Sequence, residues 1–331
     1  MAEYRTTQAR GYGRLVVEEY DKHLASLHNA WATPPTVVAR LATEVTDAAV
    51  VDLRRVVQGE ANEVYDVTLE GAPSLIVRIA HGGGEALERE AWALGECAAR
   101  GVRAPRVHAL HRFDVEGESL AATVMDKVRG DRLCDVDLGE ADVRRVLREV
   151  GAWLVELHSI PVTGFGYLDA RGVGKLATMD DWLTELTSTS SAFEDAGRSV
   201  GLAAATIRDW LREIVDSCRA APPHVVLIHN DLLAKHVMVH DGNFAGIIDF
   251  GEVACEPAAN DFAKWDFCEG DRFPVEWMRD GYGDASLFQP PNDRTYRALW
   301  LANGLWRLRW YHETGFAVEV DAARDRLLSA S

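Results

Sequence analysis

His229, Asp231 and His236 lie within one stretch, His229-Asn230-Asp231-Leu232-Leu233-Ala234-Lys235-His236, and Asp249 follows in Gly246-Ile247-Ile248-Asp249-Phe250-Gly251. Phosphoryl transfer asks for such a set. One carboxylate orients an attacking hydroxyl and accepts its proton, while a second carboxylate and a further ligand hold metal ions on the phosphates of a nucleotide. The same four residues could instead build a metal-dependent hydrolase, which needs no nucleotide to turn over. Taken singly, each has a plainer reading: a His-x-Asp after an apolar run is commonly a capped turn, and Asp249 alone could form a turn. Their order and their places at the ends of strands favour the joint reading.

The neighbouring residues supply the elements that position them. Val225 to Ile228 is an unbroken apolar run that reads as a buried strand and delivers His229 and Asp231 into a turn. Val237-Met238-Val239 and Phe244 to Ile248 flank His240-Asp241-Gly242-Asn243. An Asp-Gly pair between two apolar runs is a strong hairpin signal, because glycine accepts the positive φ of a tight turn. That hairpin folds the chain back and brings Asp249 towards Asp231 and His236.

The pattern His-x-Asp-x-x-x-x-His, followed by Ile-Asp-Phe-Gly, resembles the catalytic and metal-binding loops of the aminoglycoside phosphotransferase family, distant relatives of the protein kinases. Most of that family carries Asn where this chain has His236. The His form resembles that of the aminoglycoside 2''-phosphotransferases and macrolide phosphotransferases. The resemblance spans about residues 36 to 315. It implies an α+β, two-lobed protein-kinase-like fold, a small antiparallel sheet followed by a mainly helical lobe. It divides the chain into an N-terminal helical extension (1–34), a nucleotide-binding lobe (35–127) and a catalytic, substrate-binding lobe (128–331). Within it Asp231 is the expected catalytic residue, in contact with the acceptor, and His236 and Asp249 hold two Mg2+ ions. An imidazole is softer than the oxygen ligands magnesium prefers, so position 236 either binds its ion weakly or favours manganese.

Other parts of the chain acquire roles from the same resemblance. Gly59, between two strand-like runs, lets backbone amides approach phosphates. Gln58-Gly59-Glu60-Ala61-Asn62-Glu63 resembles the family's nucleotide-covering loop, so Gly59 and Asn62 are expected at the nucleotide. Ser74 to Ala80 reads as a strand alternating around Arg78, which by itself would face solvent; the resemblance puts Arg78 where the family's phosphate-contacting Lys stands. On the helix from Glu85 to Arg100, Glu90 is its expected partner. Glu88 is the alternative, and a solvated carboxylate the plainer reading. Leu120 to Met125 reads as a buried strand running into a hinge at 126–130, where Met125 would border the base and backbone groups of Asp126 and Val128 would bond its edge. Backbone contacts leave ATP and GTP equally open. Glu256-Pro257-Ala258-Ala259-Asn260-Asp261 resembles the family's Asp-Pro-x-x-Asp segment, with Asp261 and His229 supporting the catalytic loop. Glu269 and Asp271 are the expected ligands of acceptor amines, or else a solvated acidic helix edge. Leu299, Asn303, Trp306 and Trp310 share a helical face that reads as a core stripe before a sugar-stacking platform.

Composition bounds these readings. The 331 residues, 47% hydrophobic, can fill one large or two ordinary domains. Thirty-five basic against 52 acidic side chains give a formal charge of −17, which disfavours nucleic acid as a partner. Such a field suits a cationic acceptor, or simply maintains solubility. No apolar run reaches membrane-spanning length, the polar N-terminus does not resemble a signal peptide, and the five scattered cysteines fit a reducing cytoplasm. Leu15, Val16, Tyr20, Leu24 and Leu27 recur at helical spacing, as an extra segment expected to pack on the first lobe. The expected protein is a cytoplasmic monomer or weak homodimer that moves the terminal phosphoryl of ATP or GTP to a small-molecule hydroxyl. An aminoglycoside heads the expected acceptors. A macrolide, or a primary metabolite such as choline, homoserine or a methylthio-sugar, is the alternative, and a nucleotide-binding pseudokinase is the alternative of another class.

Overall fold

The computed structural model describes residues 22–29, 31, 33–57, 59–81, 83–115, 117–220 and 224–329. A helix over 22–29 (α1) carries Leu24 and Leu27 of the expected N-terminal segment; Leu15, Val16 and Tyr20 lie outside the described residues. After Pro34, which cannot continue a helix from its preceding turn, α2 runs over Pro35–Thr43. Its Val38, Leu41 and Ala42 are buried on the sheet that follows.

That sheet is five-stranded and antiparallel, in the order β1-β2-β3-β5-β4, from β1 (Val50–Val56), β2 (Asn62–Leu69), β3 (Leu75–His81), β4 (Val107–Val115) and β5 (Glu118–Asp126). The alternation of side chains along β3 sorts its residues by face. Leu75, Val77 and Ile79 join the core under α2, whereas Ile76 and Arg78 point to the opposite side. On that side lies α3 (Glu85–Arg100), which buries Leu87, Glu90, Leu94 and Cys97, so Arg78 and Glu90 face each other by construction.

The remainder is mainly helical. α4 (Glu140–His158) buries Val146, Leu147, Val150, Trp153, Leu154 and Leu157 at the centre of the largest core. β7 (Phe165–Leu168) and β8 (Gly174–Leu176) follow the two-residue β6 (Asp131–Arg132), and three helices come next, α5 (Met179–Ser188), α6 (Ser190–Ser199) and α7 (Ala204–Ala220). β9 (Val225–Ile228), β10 (Val237–His240), β11 (Asn243–Ile247) and β12 (Ala254–Pro257) complete two small sheets, ordered β11-β10-β6 and β8-β7-β12-β9. The last helices are α8 (Ala259–Glu269), α9 (Val275–Tyr282), α10 (Asn292–Thr314) and α11 (Ala317–Ser329). α4 and α9 cross at contact distance. A Cβ on Gly151 would stand 1.9 Å from the Met278 carbonyl, and one on Gly281 1.9 Å from that of Arg148. Among the described residues no helix is long and apolar enough to cross a membrane.

The expected hairpin is present. β10 and β11 pair antiparallel with His240 opposite Asn243, and Asp241 and Gly242 both take positive φ, +50° and +74°. Two central residues of that hand make the turn whose twist matches the strands it joins.

Candidate active site

Asp231 sits on a loop between β9 and a short 3-10 turn, Ala234–His236. The loop is tied down at several points. Asp261, fully buried near the start of α8, accepts the backbone N–H groups of His229 (3.0 Å) and Asn230 (2.8 Å) and pairs with His158 Nε2 (3.2 Å). Asn230 takes φ +62°, a conformation that costs most residues free energy and that these bonds hold in place. His229 Nδ1 accepts the N–H of Asp231 (3.3 Å), which leaves the ring proton on Nε2 to donate to Ile248 O (3.1 Å). The imidazole thus links the Asp231 loop to the strand that ends in Asp249, and burial keeps it below the ordinary histidine pKa. Glu269 accepts the N–H of Ala234 (3.0 Å).

His236 bridges the two carboxylates. Its Nδ1 lies 2.7 Å from the backbone oxygen of Asp231 and must donate to it, so in the neutral ring Nε2 presents a lone pair. That nitrogen faces Asp249 Oδ2 at 3.2 Å. Asp231, His236 and Asp249 each offer one ligand atom, all within 4.8 Å of one another. An imidazole whose second nitrogen donates to a carbonyl is oriented as metal-ligating histidines are.

Asp249 also has left-handed backbone, φ +70°, and turns its other oxygen to Arg78 Nη2 at 2.8 Å. Arg78 Nη1 pairs with Glu90, whose same oxygen accepts the Phe250 N–H at 3.2 Å. One carboxylate on α3 therefore fixes both the strand cation and the loop after Asp249. Asn62, with its amide oriented to satisfy its neighbours, accepts from Arg78 Nη2 at 2.9 Å. Burial alone would raise the Asp249 carboxyl, but Arg78 and His236 outweigh it and hold the group well below the usual range. Burial likewise opposes ionisation of Asp231, and Lys264, His236, Lys235 and Arg307 together overcome it.

Two residues of this cluster had no expected role. Lys264 Nζ lies 3.0 Å from Asp231 Oδ1 and donates to Asn230 O at 2.5 Å. It follows Asp261 by three residues on α8, a spacing that puts both on one helical face and was the only signal available. Arg89 donates through Nε and Nη2 to Gly251 O (2.9 and 2.7 Å) and lies over the Tyr167 ring, adding a second tether from α3 to the Asp249 loop. The remaining expected positions divide. Gly59 lies at the loop between β1 and β2, where a Cβ would meet nothing within 4 Å, and its carbonyl accepts from His28 Nε2 at 2.7 Å. Met125 is buried at the end of β5; Asp126 donates its N–H to Arg106 O and pairs through its side chain with His108. The N–H of Val128 has no protein acceptor among the described residues. Glu88 pairs with Arg112 and leaves Arg78 to Glu90. Asp271 is not drawn into the cluster: its side chain is 90% exposed and pairs with Arg326 at 2.6 Å.

A family model described as the phosphotransferase enzyme family (APH) matches residues 52–299. The chain belongs to that family. No curated protein sequence matches this phosphotransferase. Solved structures share its kinase-like fold at low identity. A thermostable mutant of aminoglycoside phosphotransferase APH(4)-Ia, in ternary complex with AMP-PNP and hygromycin B, is 19% identical with a TM-score of 0.72, over 89% of this chain and 97% of that one. The GDP and kanamycin complex of APH(2")-IIIa is 16% identical with a TM-score of 0.63, over 89% and 98%. The gentamicin complex of APH(2")-IIa is 15% identical with a TM-score of 0.61, over 90% and 97%.

Proposed function

We propose that this phosphotransferase moves the terminal phosphoryl group of ATP or GTP to a hydroxyl of a small molecule. The observation that carries the reading is one cluster: Asp231, His236 and Asp249 within ligand distance of one another, with Asp249 bonded to an Arg78 that Glu90 holds in place. Asp231 would orient the acceptor hydroxyl and take its proton. Its carboxyl is held low, so it takes the proton late, as the oxygen–phosphorus bond forms and the hydroxyl becomes acidic; a loose transition state asks for no more. Arg78 would turn from Asp249 to the phosphates when nucleotide enters, with Glu90 keeping it extended. Asn62 and the open backbone at Gly59 would cover the phosphates, and the unpartnered N–H of Val128, beside Met125 and Asp126, would bond the base.

Two carboxylates and one imidazole suit a divalent ion, the carboxylates matching magnesium and the imidazole favouring manganese at that position. Asp249 and His236, with Asp231 in reach, are the residues that would hold it; bound there, two ions would neutralise charge on the phosphates. His229 and Asp261 would keep the loop in register. In this reading residues 35–127 bind the nucleotide, 128–331 bind the acceptor and carry Asp231, and 1–34 are an extension. Five unpaired cysteines support a cytoplasmic setting.

The aminoglycoside reading of the acceptor draws support from the acidity of the chain and from the antibiotics held by structures of like fold. A second reading, a kinase of a primary metabolite, is favoured by a specific observation. Of the acids expected to hold amines, Glu269 is engaged by Ala234 and Asp271 by Arg326, while Lys264, Lys235 and Arg307 surround Asp231. Nucleotide consumption with Mg2+, measured against aminoglycosides, macrolides and metabolite alcohols beside Asp231→Ala, tests both. Acceptor-dependent turnover that the variant lacks is the expected result. Failure to bind either nucleotide would remove the kinase reading.

A further inference from the structure

α8 lays one stripe of side chains along α10. Asn260, Lys264 and Cys268 follow at four-residue spacing, which keeps them on one face. At one end Asn303 of α10 donates to Asn260 Oδ1 (2.7 Å); at the other Arg307 Nη2 reaches Cys268 Sγ (3.4 Å); between them Lys264 holds Asp231. One helical turn separates Lys264 from Cys268, so Arg307 meets α8 about 6 Å further along its axis than the residue that grips Asp231.

Arg307 is left unusually short of partners. It has five N–H donors, yet among the described residues it meets no carboxylate, and a thiol sulfur is a weak acceptor. The guanidinium lies over both the Trp310 and Tyr311 rings, 5.7 Å from each centre. Its neighbours on α10 and α11 differ: Arg297, Arg309, Arg324 and Arg326 each pair with an acid. In a chain with 52 acids against 35 bases, a half-buried arginine without one is not a matter of supply. Its field nonetheless reaches Asp231 and Glu269, together with that of Lys235. Polycations are repelled from such a place, whereas an oxyanion satisfies the guanidinium fork.

We infer that the acceptor carries an oxyanion, a carboxylate or a phosphate-like group, which Arg307 binds about one helical turn beyond the hydroxyl presented to Asp231. The inference rests on the kinase reading for the hydroxyl, but the anion site itself can be measured without turnover. Cys268 is the only cysteine that is not buried, and it lies against Arg307. Iodoacetate carries a carboxylate and iodoacetamide does not, so their relative alkylation rates at Cys268 in the full chain report an anion site. The iodoacetate-to-iodoacetamide ratio is expected to exceed that of glutathione by about tenfold or more, the worth of one charge-assisted hydrogen bond. Arg307→Gln is expected to return it to the glutathione value, with Arg307→Lys between.

Malonate and inorganic phosphate, added as protectants, separate the two sources: protection by malonate alone assigns a carboxylate, and protection by phosphate a phosphorylated acceptor. A glutathione-like ratio in the unaltered chain, with neither anion protecting, overturns the inference. If Arg307→Gln does not fold, protection of the unaltered chain decides. Fluorescent-nucleotide binding, run on the same sample, keeps the two ideas apart: loss of it sinks the kinase reading and leaves the anion result standing. Under turnover, hydroxy acids are expected to outrun their amides, and Arg307→Gln to raise KM for the acid alone. Equal turnover of acid and amide, insensitive to the substitution, would also overturn the inference.

Discussion

Replacing Lys264 with Met tests whether the cation beside Asp231 sets its ionisation. Lys264 Nζ and Asp231 Oδ1 are 3.0 Å apart, and their side chains are 20% and 22% exposed. At that distance a unit pair interacts by about 1.4 kcal/mol in water and about 5.5 kcal/mol at an effective dielectric of about 20. Partial exposure discounts the larger figure. His236, Lys235 and Arg307 remain in the variant and share the work. The carboxyl of Asp231, lowered in the unaltered chain, should therefore rise by about 1 to 2 pH units in the variant. The sign follows from the charge state: removing the cation makes the ionised carboxylate less favourable. Because the group starts below the ordinary carboxylate range it stays ionised from about pH 5 upward, so the rise is read by NMR titration of the carboxyl below that pH and not from the pH–rate profile. Loss of the bond to Asn230 O and of positive charge near the transferring group should also lower kcat by about 10- to 100-fold. Lys264→Arg, which keeps the charge, should restore most of the shift. Turnover is followed as nucleotide consumption with Mg2+. An Asp231 carboxyl that titrates at the same pH in Lys264→Met and in the unaltered chain would refute the reasoning.

Asp261→Asn disrupts a carboxylate whose two oxygens each accept one loop N–H group, the oxygen bonded to His229 N also facing His158, so it should cost about 3 kcal/mol or more in urea unfolding and abolish turnover; an unchanged midpoint counts against the support role. Burial raises the Glu256 carboxyl from 4.5 to about 7. The folded state therefore binds this proton more tightly than the unfolded chain. Its contribution to stability is complete below about pH 4.5 and is lost as pH rises through about 7, by at most about 3 kcal/mol; Glu256→Gln should flatten that slope in unfolding curves. His236→Asn replaces the proposed nitrogen ligand with an oxygen, and the ratio of Mg2+-supported to Mn2+-supported activity should rise; a constant ratio would show that no essential ion touches residue 236.

How much of this could be read before the fold was known varied with the range of the interaction. The hairpin was legible because its signal is local: Asp241-Gly242 between two apolar runs needs no knowledge of the rest. The pairing of Arg78 with Glu90 was legible only by resemblance, since nothing in a strand and a helix says which cation and which acid will meet across them. Glu88, two residues away, is turned to Arg112 by the helical period. The two acids at the end of α8 part company. Glu269 is drawn inward because it satisfies the Ala234 N–H, while Asp271, past the helix end, meets Arg326 at the surface. The stripe on α10 is neither a pure core nor an open platform. Leu299 is buried, Asn303 bonds Asn260, Trp306 is 41% exposed and Trp310 packs against Tyr311 and Phe316.

The residues that escaped the sequence reading share a physical character. Lys264 and Arg89 are long cations on helices, and such residues ordinarily extend into water. Both are held inward here by backbone carbonyls: Asn230 O for Lys264, Gly251 O for Arg89. Each of those carbonyls belongs to a loop bearing a left-handed aspartate or asparagine, at Asn230 and at Asp249. Strained backbone persists only where its surroundings over-determine it, and the two cations are part of what does so. The helices α3 and α8 thus do more than fill a core. From opposite sides each sends one acid and one cation into the site: Glu90 and Arg89 fix the loop of Asp249, and Asp261 and Lys264 fix the loop of Asp231. Beyond the strands that carry them, the two loops meet through His229 and His236, so loosening either helix contact should disturb the separation of the two carboxylates before it disturbs the fold.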